Sequence, residues 1–401
     1  MPSVAPVLLG LDLNAYSVAV ALHEAYGVTS DAFGRYSVGI TRYSHILRPH
    51  IEPTLADTDR GGAVLRTFSH APVSEGKMPV LIPCADWYTE FLENSREYLC
   101  DAYRFLIPDL SLYREVSEKA SFSCLLDRFG IGHPETLVFS ARGEREVRDF
   151  SGAIPYPAVL KPADSSAYWR FPFPGMKKVW FPKTAEEAKG IADRIYASGY
   201  PGRLLLQRLI HPTRRSTLTV FCDADAVARR AVLGDILLEE RGGTAQGNYA
   251  AILTRPPDRF SLRLIRFLEA IGYRGIANFD LLTEGEKTYV LELNARQGRS
   301  SDYTRAAGVN LFSSLVSVLS GRTPNTDFSC SEVLWHCVPM DAVRRYATDR
   351  FLLSRAEELF RAGAVASPFS YRPDLRGNPI RRLYTFLHGR RRAAALAGGA
   401  G

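Results

Sequence analysis

Asp280, Glu292 and Asn294 bracket the short polar turn Glu284-Gly285-Glu286-Lys287 in the segment GIANFDLLTEGEKTYVLELNARQGRSS. Two apolar-alternating runs on either side of such a turn predict a β-hairpin. Alternation puts Glu292 and Asn294 on one face of the second strand, and a turn centred near Glu286 would set Asp280 directly across from Glu292. Opposed like charges are unfavourable unless a cation lies between them. Oxygen donors of this kind suit Mg²⁺ when phosphates complete its shell, with a solvated polar face as the competing reading. Arg296 follows two residues later on the same side. Gln297-Gly298-Arg299-Ser300-Ser301 then adds a glycine turn and a second arginine, cations suited to charge that develops during group transfer, although either arginine could equally close a structural salt bridge.

Lys161 ends the apolar strand YPAVL and leads into Ala163-Asp164-Ser165-Ser166, a polar turn whose amides can face an anion. It is a candidate phosphate clamp, while for a lone lysine a surface position is the commoner reading. The chain has eight lysines against forty-two arginines, so a lysine at a strand end or helix start, Lys161 or Lys119, is worth weighing.

The elements that would position these groups follow from the apolar pattern. A buried strand at Val7 to Leu11, the turn holding Gly10 and Asp12, and a helix from Ala15 to Tyr26 closed by Gly27 make a strand-turn-helix start. GxGxxG is absent, so that turn reads as structural. A strand from Pro79 to Pro83 runs through Ala85 and Asp86 into another helix, again placing polar groups at a strand's carboxyl end. The helix SEKASFSCLLDRFG, short strands in HPETLVFS and YPAVLKP, a helix begun by the capping-box pair Thr184 and Glu187, and the strand LLLQRLI follow. An amphipathic helix over 259–271 stops at Gly272. This rhythm predicts an α/β and α+β protein in four parts: a doubly wound unit at 1–115, a small lobe at 116–210, a large lobe with the metal patch at 211–324, and an extension with a basic tail at 325–401.

A chain of 401 residues, 46% apolar and 23% charged, is long enough for two or three packed units and excludes a mainly disordered or coiled-coil protein. Of the formal charge of +7, about +6 lies beyond residue 371, where seven arginines meet one acid, Asp374. The nearly neutral body argues against a nucleic-acid groove. The tail is expected to lie against anionic lipid, and the final AAALAGGAG to be disordered. Six scattered cysteines without CxxC spacing, no signal-peptide pattern and no long apolar run lead us to expect a cytoplasmic protein with reduced thiols.

The order Lys119, Lys161 in VLKP, Gln207-Arg208-Leu209-Ile210, Asp280 and Glu292-Leu-Asn294-Ala-Arg296 resembles the ATP-grasp superfamily of carboxylate-amine ligases. More narrowly, LDLNAYSVAVALHEAYGV, LIPCADWY, LLEERGGTAQGNYAAILT and ELNARQGRSSDYTRAAGVNL are similar to bacterial D-aspartate ligases. The resemblance spans residues 5 to 320. It implies an ATP-grasp fold behind an N-terminal doubly wound domain, with ATP and one or two Mg²⁺ ions held by Asp280, Glu292 and Asn294. Lys119 and Lys161, with Ser165 and Ser166, would contact phosphates. Gln207, the Arg208 carbonyl and the Ile210 amide would contact adenine, Arg296 would be catalytic, and Arg299 and Ser300 would touch substrate. It implies an ADP-forming ligase that joins the β-carboxylate of D-aspartate to the lysine side chain of a cell-wall precursor. Another amino-acid or dipeptide ligase, and a nucleotide-binding regulator without turnover, are the alternatives. His211-Pro-Thr-Arg-Arg215 offers no acid for the ribose, where relatives often carry one. Arg241 to Asn248, rich in glycine, is a candidate lid.

Overall fold

The first apolar run forms strand β1 (Val4–Leu9), which in this computed structural model, describing residues 3–36, 39–140, 154–240 and 247–398, pairs on both edges. Its sheet contains β2 (Ser30–Gly34), β3 (Leu47–Ile51) and β4 (Met78–Pro83) in the order β3-β2-β1-β4, every pair parallel. Parallel strands covered on both faces need near-continuous apolar residues, as VAPVLL and MPVLIP have. The helix Leu13–Tyr26 leaves β1 through Asp12, whose carboxylate accepts from the amides of Asn14 and Ala15, and it ends at Gly27 with φ 68°. Gly10 adopts φ 146°, and a Cβ there would stand 2.9 Å from the Cys84 Cβ, so only glycine lets this turn pass so close to the one after β4.

The strands β5 (Thr136–Phe139), β6 (Ala158–Pro162) and β7 (Leu204–Arg208) form a separate antiparallel sheet, with β7 in the centre. Phe139, Leu160, Tyr168, Ile191, Ile195 and Leu206 share its core. Thr184 caps the helix Ala185–Ala197 by accepting from the Glu187 amide at 3.2 Å, but the Glu187 carboxylate accepts from the Lys183 amide. The capping pair is therefore present with its return bond one residue early.

A third sheet holds β8 (Arg214–Cys222), β9 (Ala228–Glu239), β10 (Tyr249–Arg255), β11 (Gly275–Glu284), β12 (Lys287–Asn294), β13 (Leu334–His336) and β14 (Val365–Ala366), in the order β12-β11-β8-β9-β10-β13-β14. The amphipathic helix Arg259–Ala270 buries Leu264, Ile265, Phe267 and Leu268. By packing, the chain divides into two compact units. One holds residues 1–110, 216–278 and 294–401; the other holds 111–215 and 279–293. The hairpin of β11 and β12 is thus shared in sequence between them, and the extension 325–401 groups with the N-terminal sheet.

The tail differs from its expected form. Residues 379–398 are one helix, Pro379–Gly398, so the described part of AAALAGGAG is ordered. Arg381 has no solvent exposure. Its Nε donates to Asp374 Oδ2 at 3.1 Å and its Nη1 donates to the carbonyls of Ile40 and Arg42, while Asp374 also accepts from the Tyr16 hydroxyl at 2.7 Å. Arg392 is also buried, in an ion pair with Glu240. Two of the seven tail arginines are therefore interior, because the tail's own Asp374 meets Arg381 and Glu240, far back in the chain, meets Arg392; a charge run shows none of this.

Candidate active site

In the second unit, Lys119 opens the helix Lys119–Arg128, capped by Glu118, and Lys161 lies next to the end of β6. The Lys119 ammonium reaches the Ala163 carbonyl at 3.4 Å, across from the end of β6. Burial pulls Lys161 down to about 8, with repulsion from Lys119 and Lys178 acting the same way and Glu292 opposing. For Glu292, burial alone would raise the carboxyl, but Lys119, Lys161, a hydrogen bond shared with Asp280 and the charge of Lys178 together hold it well below the usual carboxylate range. Lys119, Lys161 and the exposed Lys178 thus all act on Glu292, which bonds to Asp280, an excess of positive charge at a partly buried site that an anionic ligand would neutralise.

The pairing of those carboxylates is not a plain pleat. The hairpin turns at Gly285-Glu286, and the Thr283 and Thr288 hydroxyls meet at 3.1 Å on one face. Alternation counted from that pair would send Asp280 and Glu292 to opposite faces. They nevertheless share a hydrogen bond, which brings the two carboxyl groups of the hairpin together. Among the described residues no group of three or more His, Cys, Asp and Glu could hold a metal. Two carboxylates and the Asn294 amide are too few to enclose an ion, but their oxygen chemistry fits Mg²⁺, which takes remaining positions from water and phosphate.

Gln207 sits inside β7, paired with Thr136 of β5 and Val159 of β6. Its Nε2 donates to the Thr136 hydroxyl at 2.7 Å, which orients the amide with its oxygen turned from that bond. The Arg208 side chain donates to Glu284 at 2.8 Å and to the Tyr289 hydroxyl at 2.9 Å, and its guanidinium lies over the Tyr289 ring. Glu284 also accepts from the His211 amide at 2.8 Å. A carboxylate from the far end of β11 therefore stands beside Arg208 and His211, a stretch that carries no acid of its own. Ser165 and Ser166 begin a short helix, Ser165–Tyr168, instead of a turn, and the Ala167 amide is already bonded to Asp164.

The first unit assembles a second set of groups after β12. The Arg296 guanidinium donates to the Gln297 carbonyl at 2.9 Å and to Asp86 at 2.8 Å, and lies 3.5 Å from the Asn294 amide oxygen. Gln297 is buried, its Nε2 donating to the Pro83 carbonyl, while Asn14 donates to the carbonyls of Cys84 and Gln297. The loop is thereby stitched to the carboxyl ends of β1 and β4. Burial raises the Asp12 carboxyl, and its two cap bonds with the charges of Arg299 and Arg296 work against that rise. Arg299 donates to Glu240 at 3.3 Å, and Arg392 pairs with the same carboxylate. Nε and Nη1 of Arg392 are buried without a hydrogen-bond partner among the described residues. Ser300 is buried beside these groups in sequence. Residues 241–246 of the candidate lid lie outside the described residues; Gly247 and Asn248 close onto Glu240 through backbone bonds.

No protein-family model matches the chain. It is 29% identical over 389 residues to a D-aspartate ligase of Enterococcus faecium, covering 92% of this chain and 90% of that protein. It is 25% identical to the carbamoyl phosphate synthase large chain of Deinococcus deserti over 48% of this chain, which is only 18% of that longer protein. Among solved structures, an ADP complex of N5-carboxyaminoimidazole ribonucleotide synthetase matches 86% of this chain and 85% of its own with a TM-score of 0.60 at 12% identity. The biotin carboxylase domain of the Hydrogenobacter thermophilus 2-oxoglutarate carboxylase, solved with MgADP, matches 82% of this chain and 73% of its own with a TM-score of 0.59 at 15% identity. The chain is similar in sequence to a D-aspartate ligase and shares its fold with solved carboxylate-amine ligases of the ATP-grasp type.

The site also gathers residues that sequence reasoning passed over. Lys178 belongs to the lysine cluster, and its signal was the scarcity of lysine: Lys119, Lys161 and Lys178 are three of only eight. Asp12, in a turn that read as structural, lies near Arg296 and Arg299, and Asp86, at a strand end where polar groups were expected, pairs with Arg296. Glu240 and Arg392 left no local pattern, since each acquires meaning only through the other.

Proposed function

We propose that this protein activates the β-carboxylate of D-aspartate with ATP and joins it to the lysine side chain of a peptidoglycan precursor in the cytoplasm, releasing ADP and phosphate. The observation that carries the ATP half is the group of three lysines around Asp280 and Glu292. Support for the substrate is the likeness to a D-aspartate ligase along nine-tenths of both chains. The arginines gathered near Asp12 and Glu240 add to it, since an amino diacid needs cations for carboxylates and a carboxylate for its ammonium.

A carboxylate has no good leaving group, so the γ-phosphoryl group of ATP is transferred to it first; the amine then attacks the acyl phosphate and phosphate departs. Lys119 and Lys161 neutralise the phosphates, with Lys178 beside them. Asp280, Glu292 and Asn294 would hold Mg²⁺, which supplies charge neutralisation across the phosphate oxygens. Gln207 orients adenine through its free-turned amide oxygen, alongside the Arg208 carbonyl and the Ile210 amide. Arg296 steadies the charge that builds on the acyl oxygen, and Arg299 with Ser300 holds the amino acid. Asp86 positions Arg296 and keeps its guanidinium from swinging into solvent.

The test is a panel of D- and L-amino acids assayed for ADP release with ATP and Mg²⁺, in the presence of a lysine-containing stem peptide precursor, with mass spectrometry of the product. Release dependent on D-aspartate, with a product heavier by one aspartyl residue, is expected. ADP release driven by another amino acid would remove the substrate, and ATP binding without release under any of them would remove the ligase reaction.

A further inference from the structure

The C-terminal helix Pro379–Gly398 is held to the first unit by one face only. Arg381 and Arg392 point inward, as does Leu396, at 1% exposure. On the other face Ile380, Leu383, Phe386 and Leu387 are 44% to 60% exposed. At about 100° per residue these four fill the middle of an arc of roughly half the helix circumference, with Arg382 at one edge and Arg391 at the other. Arg390 lies within the same arc, its guanidinium over the Phe386 ring. Arg372 and Arg376, just before the helix, are also exposed, and the helix contains no Asp or Glu.

We propose that this face is a docking surface for an anionic lipid bilayer. An exposed apolar stripe edged by arginines matches the two layers of a membrane interface: the aliphatic and aromatic side chains enter the acyl boundary, and the guanidiniums pair with headgroup phosphates. The charge pattern selects this occupant over others. A second copy of the chain would set arginines against arginines with no acid on the helix to relieve them. A nucleic acid would satisfy the arginines but leave Ile380, Leu383 and Leu387 facing a polyanion. The helix is too polar to span a bilayer, and no described helix is long and apolar enough to do so, so the attachment is peripheral.

The full-length protein is tested by co-sedimentation with vesicles of phosphatidylcholine alone and with added phosphatidylglycerol, at low and high salt. Binding to the anionic vesicles only, weakened by salt, is expected. The double variant Arg390→Gln/Arg391→Gln should partition about 30-fold more weakly, and Leu383→Glu/Phe386→Glu should lose binding. All four side chains are exposed, and a thermal melt confirms that each variant folds. Absence of sedimentation, equal binding by either variant, or equal binding to neutral vesicles would overturn the proposal. So would a face-dependent dimer in analytical ultracentrifugation, or variant-sensitive binding to an oligonucleotide in place of vesicles.

Discussion

Asp280 and Glu292 share a hydrogen bond, with Lys119, Lys161 and Lys178 acting on Glu292, and on the proposed function both carboxylates are needed. Removing either charge leaves the lysines over-supplied and the ion with one protein oxygen fewer. Asp280→Asn and Glu292→Gln should each lower ADP formation by about 10²-fold or more while thermal melts stay close to wild type. Arg296→Ala should reduce kcat by about 10²- to 10³-fold with little change in the KM for ATP. Arg392 would act at one remove: it shares the Glu240 carboxylate with Arg299, and on the proposed function that sharing would loosen the hold of Glu240 on Arg299. Arg392→Met should therefore raise the KM for the amino acid several-fold without altering that for ATP, and an unchanged KM would leave Arg392 a structural residue. Hairpin spacing and then motif order singled out Asp280, Glu292 and Arg296 in the sequence. Lys178 and Arg392 did not emerge because their roles depend on partners far along the chain, and spacing carries no trace of such pairs.

Elements whose faces differ in polarity are legible from one sequence, and those set by long-range charge are not. The strands at Met78–Pro83 and Leu204–Arg208 and the helix Arg259–Ala270 follow from apolar pattern within a residue or two. The C-terminal helix does not, because its inward positions are arginine, tyrosine and histidine, residues that a pattern assigns to solvent. His388 shows the effect. Burial, followed by the charges of Arg299, Arg381 and Arg391, lowers it to about 4, and its ring stacks on Tyr384 and meets Phe369 edge-on. Its folded pKa lies below the ordinary value near 6.5, so the unfolded chain binds the extra proton between those limits. The stability it contributes is complete above pH 6.5 and is lost as pH falls toward 4. In His388→Gln the melting temperature should fall less across that interval than in wild type, measured in matched buffers; parallel curves would show that His388 has no part in it.

For the whole molecule, the central ion pair is structural rather than catalytic. Asp374 and Arg381 are both without solvent exposure, and the carboxylate also accepts from Tyr16, Ser44 and the His45 amide. Removing one partner strands a buried charge, so Asp374→Asn or Arg381→Met should cost about 3–5 kcal/mol in urea unfolding, whereas ADP formation by the remaining folded fraction should be retained. The division into 1–115, 116–210, 211–324 and 325–401 drawn from rhythm follows chain order, while packing groups the last hundred residues with the first hundred. Sequence rhythm reports where elements start and stop; which of them share a core is decided by contacts between distant segments.

That Tyr16–Asp374 contact spans 358 positions, and it sets an order of events during synthesis. The N-terminal parallel sheet can pair its own strands soon after emerging from the ribosome, but the polar groups of Tyr16, Ser44 and His45 wait for almost the entire chain before their partner exists. Until then this surface lacks the carboxylate that closes it in the folded chain. A ribosome stalled before residue 374 should hold an N-terminal sheet sensitive to protease, and one stalled with the C-terminal helix clear of the exit tunnel should hold it protected.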